Sequence, residues 1–337
     1  MSVQPPQMQA LVFDGPAPDT SASRVTELVV PEPAPGAVSI DVHYAGVNFK
    51  DVMARRGDPG YVPSWPFVPG LEVAGTVHEL GAGVNGLQVG DRVTAFTDHG
   101  GLAEVAVAPA DLTVRVPAGL DLERAAAAPG ALTTAALLLS DFGHLRPGEV
   151  VLVHSAAGGV GQAVVRLARL AGAELVLGTV GDTNRVAAAK RAGYDAALVR
   201  GPGLTSAIRE CTGDRPIDLV LDPQGTSLLD LDLDVLAAGG RIVLFGNATG
   251  ATLDPLPAAS RLFGANASIA GFSLAALAAT AAGRVAGAMH DVLDHLAAGE
   301  LEVELTKVEG LDAAPQAQQA LAEGRGRGKQ VVRVKAT

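Results

Sequence analysis

His154-Ser155-Ala156-Ala157-Gly158-Gly159-Val160-Gly161 is the stretch on which the reading of this chain turns. The apolar run Val150-Val151-Leu152-Val153 precedes it, and a helix-patterned segment, 162–170, follows it. A strand that passes through a glycine turn into a helix opens a dinucleotide-binding βαβ unit. Gly158 and Gly161, with small Ala156 in place of a first glycine, let the backbone approach a pyrophosphate and let the helix pack close to its strand. The helix N-terminus offers free N–H groups to the anion. A second apolar run, 175–179, follows at the distance a βαβ unit requires. The predicted strands 150–154, 175–179, 196–199, 219–221 and 241–245 alternate with helices, which calls for a parallel, doubly wound sheet.

Outward from this unit the pattern changes. Towards the N-terminus, 8–116 reads as an all-β body of short strands at 9–13, 37–46, 73–80, 91–96 and 102–107, separated by turns. A helical pattern with Pro129 inside it covers 123–140, and Arg146-Pro147-Gly148-Glu149 turns the chain into the glycine-motif strand. Beyond the alternating region a helix is predicted at 283–299 and a strand at 329–334. That tail strand is expected to rejoin the β body, because a terminal strand needs a sheet to pair with.

At 337 residues and 48% hydrophobic content the chain is globular and long enough for two cores. Its 41 glycines and 21 prolines lie scattered between apolar runs, as short strands joined by tight turns require. A net charge of −11 argues against a nucleic-acid footprint. One cysteine, Cys211, excludes an internal disulfide and a multi-thiolate metal site, and is expected to be a small buried hydrophobe in a helix. There is no basic segment followed by an apolar core and no apolar run of membrane-spanning length, so the cytoplasm is the expected location. The alanine-rich stretch 274–288 carries Arg284 and reads as a packed helix.

Four motifs in order carry a family likeness: Ala45-Gly46-Val47-Asn48-Phe49-Lys50-Asp51, Pro69-Gly70-Leu71-Glu72-Val73-Ala74-Gly75, the glycine motif, and Phe245-Gly246-Asn247. Together they resemble the zinc-free NADPH:quinone oxidoreductase branch of the medium-chain dehydrogenase/reductases, which also holds polyketide enoyl reductase domains. The resemblance implies an α/β chain with a GroES-like, β-rich catalytic domain (1–124 and 268–337) and a Rossmann domain (125–267). It also implies an active site in the cleft between them and a homodimer built on the Rossmann sheet edge.

Zinc-dependent relatives need ligands that this chain lacks. Asn48 and Phe49 stand near the place of the catalytic cysteine, Leu71 replaces the histidine between Gly70 and Glu72, and one cysteine cannot build a four-cysteine site. His43, His78, His99 and His144 are isolated, so no metal is expected. An NAD-type site places a carboxylate at the end of the second strand, where this chain reads Gly178-Thr179-Val180-Gly181. A 2′-phosphate would meet no repulsion there, and Arg185, Lys190 or Arg191 from the following helix would neutralise it, which favours NADPH. Asp182 is the competing feature: one residue nearer the ribose, it would favour NADH. Each of the three cations also reads as part of a solvated helix face.

The cofactor-binding set is therefore Asn48, Thr133, Ala157, Gly158, Gly159, Val160, Gly161, Gly181, Arg185, Phe245, Gly246, Asn247 and Lys329, with Thr133 and Asn247 placed beside the nicotinamide by the resemblance. Asn247 equally reads as a turn asparagine. Hydride delivery to an enone or quinone leaves charge on oxygen, which needs a hydrogen-bond donor and then a proton. Asn48, Lys50 and Tyr61 are the catalytic candidates. A Lys50-Asp51 surface couple is the plainer reading of Lys50, and Tyr61 lies two residues past the place where enoyl reductases of this branch carry a tyrosine. Trp65 and Phe67 read either as a flat aromatic pocket or as packing of the β body.

Three functions follow: a zinc-independent NADPH-dependent reductase of quinones or α,β-unsaturated carbonyls, an enoyl reductase acting on a polyketide or acyl thioester, and an NADPH-binding protein with little turnover. An acyl carrier would want a basic patch, for which Arg55-Arg56 and the Arg325/Arg327 tail are the candidates, although Arg55-Arg56 reads more simply as solvated surface.

Overall fold

The computed structural model describes residues 5–335. In chain order its main elements are β1 (Gln7–Phe13), β2 (Ser23–Val29), β3 (Ala37–Gly46), α1 (Phe49–Arg56), β4 (Glu72–Leu80), β5 (Arg92–Phe96), β6 (Val105–Pro109) and β7 (Thr113–Arg115). Then come β8 (Val150–Val153), α2 (Gly159–Leu170), β9 (Leu175–Val180), α3 (Val186–Ala192), β10 (Ala196–Val199), α4 (Leu204–Thr212), β11 (Ile217–Asp222), α5 (Leu229–Val235), β12 (Leu236–Leu244), α6 (Ala259–Ala265) and β13 (Ser268–Gly271). The chain closes with α7 (Leu274–Thr280), α8 (Ala282–Ala297), β14 (Leu305–Glu309), α9 (Ala314–Ala322) and β15 (Lys329–Arg333). It divides into two compact units, one running to Thr133 and resuming at Ala275, the other spanning Thr134–Leu274.

The first unit is β-rich. Strands β14-β15-β3-β4-β5-β7 lie in that order, with β6 on β3, and β1 and β2 form a separate antiparallel pair. The tail does rejoin the body: Val331 and Val332 of β15 face Gly46 and Ala45 of β3. Apolar residues such as Phe13, Ile40, Val42, Val73, Val93 and Leu102 close its core. The second unit is a six-stranded parallel sheet, β10-β9-β8-β11-β12-β13. Every residue of β8 is buried, as expected of a central strand covered by helices on both faces.

Several expectations need correction. The span 8–116 is not all β: α1 begins directly after Asn48. The helix predicted at 123–140 is a series of short pieces, Leu122–Ala125, Ala128–Leu132, Thr133–Leu137 and Leu138–Phe142. Pro129 has no N–H to give to a regular α-helical ladder, and the turn around it widens to an i→i+5 pattern. The strand expected at 102–107 starts at Val105, while Ala103 makes an isolated bridge to Ala10. The stretch 274–288 is cut by Ala281, whose φ of −147° lies outside the helical region. Cys211 is exposed on α4, not buried. No helix among the described residues is long and apolar enough to cross a membrane.

Candidate functional site

In the first unit the site residues gather at the N-terminus of α1. Asn48 is the N-cap of α1 and is extended, with φ −129° and ψ 159°. Its Nδ2 donates to Glu72 Oε1 at 2.7 Å and, at 3.4 Å, to Gly46 O. Its Oδ1 accepts from Lys329 Nζ at 2.7 Å. Lys329, only 4% exposed, also donates to Val47 O at 2.7 Å and pairs with Glu72 at 2.5 Å. The other Glu72 oxygen accepts from Gly130 N at 2.6 Å. Glycine is required on both sides of this carboxylate: a Cβ on Gly46 would overlap it, and one on Gly130 would stand 2.8 Å from Oε2. The cluster is closed, with each of its charges and amide groups partnered inside the protein.

Asp51 does not form a surface couple with Lys50. It is buried, and its carboxylate accepts from Asn48 N at 2.8 Å and Gly70 N at 3.0 Å, tying α1 to the loop before β4. Burial pushes its pKa up to about 6, against the lowering effect of those two N–H groups and of Lys329. Lys50 pairs instead with Asp98, donating to both its carboxylate and its carbonyl. Tyr61 is half-buried against the core; burial first, then the nearby Asp58 carboxylate, holds its phenol pKa above the usual value. Thr133 is buried, and its hydroxyl donates to Ala128 O at 2.8 Å.

Phe67 belongs to the core and Trp65 packs edge-on against it, so the aromatic pair is packing of the β body. The Arg55-Arg56 patch does not exist as solvated surface. Arg55 is fully buried and donates to Pro18 O and Gln319 Oε1, while Arg56 pairs with Asp58. In the tail, Arg325 pairs with Glu323.

The second unit holds the glycine loop. Ser155 adopts φ +59°, Ala156 N donates to Thr179 O, and Gly158 caps α2. Gly159, Val160 and Gly161 form its first turn, whose N–H groups have no intrahelical acceptor. A Cβ on Gly161 would stand 2.7 Å from the carbonyl oxygens of both Ser155 and Ala156. Tyr194 locks the same turn by donating to Gly161 O at 2.6 Å. At the end of β9, Gly181 is exposed and Asp182 is engaged as the cap of Thr183–Arg185, accepting from Asn184 N at 2.7 Å. Lys190 and Arg191 are exposed on α3. After β12, Phe245 N donates to Asp222 O, and Gly246 is exposed. The Asn247 side chain closes its own turn, donating to Ala251 O at 2.7 Å.

Arg185 donates to Ala157 O at 3.2 Å from the turn after β9. A second arginine, which sequence reasoning missed, joins it there. Arg200 follows β10; its Nη1 donates to Thr179 Oγ1 at 3.3 Å, and its Nη2 lies 3.0 Å from where a Gly181 Cβ would sit. Burial lowers the pKa of both guanidinium groups, Asp222 opposes the lowering at Arg200, and the charge of Arg185 adds to it there. Neither makes a salt bridge to a carboxylate among the described residues. The signal was available: in a parallel sheet the residue just past the strand next to β9 lies on the same carboxyl edge.

Other proteins match this chain in both units. The family models described as the alcohol dehydrogenase GroES-like domain and the zinc-binding dehydrogenase match residues 34–118 and 159–290. Among the described residues, no three His, Cys, Asp or Glu side chains form a group that could hold a metal ion. The quinone oxidoreductase of Sus scrofa is 34% identical over 224 residues, covering 66% of this chain and 68% of that protein. A synaptic vesicle membrane protein VAT-1 homolog-like of Mus musculus is 39% identical over 173 residues, 51% of this chain and only 41% of that protein's length. Among solved structures, the human VAT-1 homolog-like protein superposes with a TM-score of 0.86 at 31% identity, covering 98% of this chain and 99% of that one. The Escherichia coli quinone oxidoreductase complexed with NADPH gives 0.85 at 27% identity, covering 96% and 99%.

Proposed function

The chain belongs to the zinc-free quinone oxidoreductase branch of the medium-chain dehydrogenase/reductases, and from that premise we propose that it is an NADPH-dependent reductase of quinones or other α,β-unsaturated carbonyls. The observation that carries this reading is the pair Arg185 and Arg200: two half-buried guanidinium groups, neither in a salt bridge with a carboxylate among the described residues, at the end of β9 where the adenine ribose of a Rossmann cofactor lies. The carboxylates that act on them, Asp182 and Asp222, accept from backbone N–H groups, and the 2′-phosphate of NADPH supplies an anion that both guanidinium groups can bind directly. The cradle fits as well, since the first turn of α2 is free of side chains at Gly159 and Gly161.

When bound, NADPH supplies a hydride. The residues of the chain then have separable roles. The N–H groups of Gly159, Val160 and Gly161 receive the pyrophosphate. Asn48, tied at Nδ2 by Glu72 and at Oδ1 by Lys329, is a fixed surface for the nicotinamide end. Lys329 is thus a support for Asn48, because all three of its donors already have acceptors. Tyr61, whose phenol stays protonated through the neutral range, is the proton donor to the reduced acceptor. Lys50, paired with Asp98, is a less suitable donor.

The acyl-thioester reading is weakened by the burial of Arg55 and the Arg56–Asp58 pair, which remove one of its two candidate carrier-binding patches. A second copy of the chain fits the outer edge of β13, which no strand among the described residues covers, with Leu253, Leu256 and Phe263 exposed near it in sequence and Phe263 77% so.

The test is consumption of NADPH and NADH, without added metal, against quinones, enones and enoyl thioesters, with product identification. NADPH-linked reduction of a quinone or an enone is the expected result, with turnover lowered about tenfold to a hundredfold by Tyr61→Phe while NADPH still binds. Turnover of thioesters alone would move the assignment to the biosynthetic reading, and tight NADPH binding with no turnover would make the chain a binder.

A further inference from the structure

Behind Arg200 runs a buried chain of polar groups that the roles above leave unused. Thr179, His154 and Asp232 are all fully buried, and they come from β9, the end of β8 and α5. Asp232 Oδ1 lies 2.8 Å from His154 Nε2, and His154 Nδ1 lies 2.7 Å from Thr179 Oγ1, the oxygen that accepts from Arg200. An ionised Asp232 has no hydrogen to give, so a neutral imidazole carries its proton on Nε2 and leaves Nδ1 as an acceptor. The Thr179 hydroxyl then donates to Nδ1, and its lone pairs face Arg200. In that tautomer every hydrogen in the chain points the same way, from guanidinium to carboxylate, an arrangement in which each bond strengthens the next.

Arg200 is held from a second side. Its Nη2 lies against Gly181, where a Cβ would stand 3.0 Å from it and push it aside by a few tenths of an ångström. Asp222, whose carboxyl interacts with His154, Asp232 and Arg200, accepts at Oδ1 from Gln224 N at 2.7 Å and makes no hydrogen bond to Arg200 among the described residues. The acceptor that orients the guanidinium is therefore the Thr179 hydroxyl.

We propose that this relay sets cofactor preference: His154 and Thr179 are positioning residues that hold Arg200 in the orientation that takes the 2′-phosphate, favouring NADPH over NADH without either residue touching the cofactor. The proposal rests on the NADPH reading, and the experiment separates the two. Dissociation constants for NADPH and NADH are measured on the wild type, Thr179→Val, Thr179→Ser, Arg200→Ala and the Thr179→Val/Arg200→Ala double variant.

Selective loss of NADPH binding in Arg200→Ala upholds the underlying reading; equal binding of the two cofactors by the wild type would overturn it. For the relay, Thr179→Val weakens NADPH by about threefold to tenfold, the worth of one hydrogen bond, and leaves NADH within about twofold. Thr179→Ser restores the preference, and the valine substitution costs nothing further in the Arg200→Ala background. Equal weakening of both cofactors by Thr179→Val, or additive losses in the double variant, would overturn the relay. Should Thr179→Val fail to fold, Asp232→Asn tests the same chain. It lets the imidazole proton move to Nδ1, so NADPH binding alone falls; parallel losses for both cofactors would refute the proposal.

Discussion

The two polar clusters of this protein are built in opposite senses. Around Asn48, Glu72 and Lys329 each buried donor and acceptor has its partner, and two glycines leave only enough room for the carboxylate. Around Arg185 and Arg200 two positive charges lie together, and among the described residues their hydrogen-bond acceptors are backbone and hydroxyl oxygens. Self-sufficiency marks the first as a support, which keeps its shape whatever is bound. Unbalanced charge marks the second as a place where an anion from outside completes the structure. Once their partners are counted, Lys329 is a support and Arg200 the group left open to an anion, the reverse of what the motifs in the sequence suggest.

The largest effect expected from breaking this contrast is on stability. Glu72→Ala strands the buried Lys329 ammonium and should cost about 3–5 kcal/mol in denaturant unfolding, with much of the loss recovered in the Glu72→Ala/Lys329→Met double variant. If Glu72→Ala cost less than about 1 kcal/mol, well below the usual cost of an unpaired buried charge, the closed-cluster description would be wrong. Replacing both Arg185 and Arg200 by alanine should do the reverse. NADPH affinity falls on the order of a hundredfold as charge-assisted bonds are lost, while unfolding free energy changes by less than about 1 kcal/mol. A large stability loss there would mean that the arginines serve the fold.

A smaller effect concerns Asp51. Its carboxyl, pushed up from 3.8 to about 6 by burial, holds its proton more tightly in the folded state than in the unfolded chain. Its stabilising contribution is therefore full below about pH 3.8, is lost as the pH rises to about 6 and is flat above that, a change of up to about 3 kcal/mol. Urea unfolding across pH 4–8 should show this slope in the wild type and lose it in Asp51→Asn; parallel curves would count against the burial of an acid at this position. The smallest effect is that of Lys50→Ala. It removes a half-exposed pair with Asp98 and should cost less than about 1 kcal/mol in the same assay.

The alternation of strands and helices around the glycine motif was legible because each βαβ step is local: β8, the glycine turn and α2 fall within residues 150–170. The tail's return to the β body was also legible, from the pairing needs of a lone strand. What was not legible depends on separation. Lys329 reaches Asn48 across 281 residues and Asp232 reaches His154 across 78, and no periodicity links such positions. Helix α1, only eight residues long, lies inside the motif that carries Asn48 and does not stand out from the strands around it, and Pro129 makes a broken helix look continuous. Arg55 shows the limit of charge as a guide, since two adjacent arginines read as solvated although one is wholly buried. Arg200 does not follow from the cations of the helix after β9, because it lies past the neighbouring strand β10, which ends on the same edge.

The central claim is that the Arg185–Arg200 edge is an anion site for the cofactor's 2′-phosphate. Titration of the wild-type chain with NADPH and with NADH at low and high salt tests it most directly. The account expects NADPH to bind at least about tenfold more tightly at low salt, from one or two charge-assisted bonds, with the gap narrowing as salt screens it. Equal affinities for the two cofactors, unaffected by salt, would contradict it.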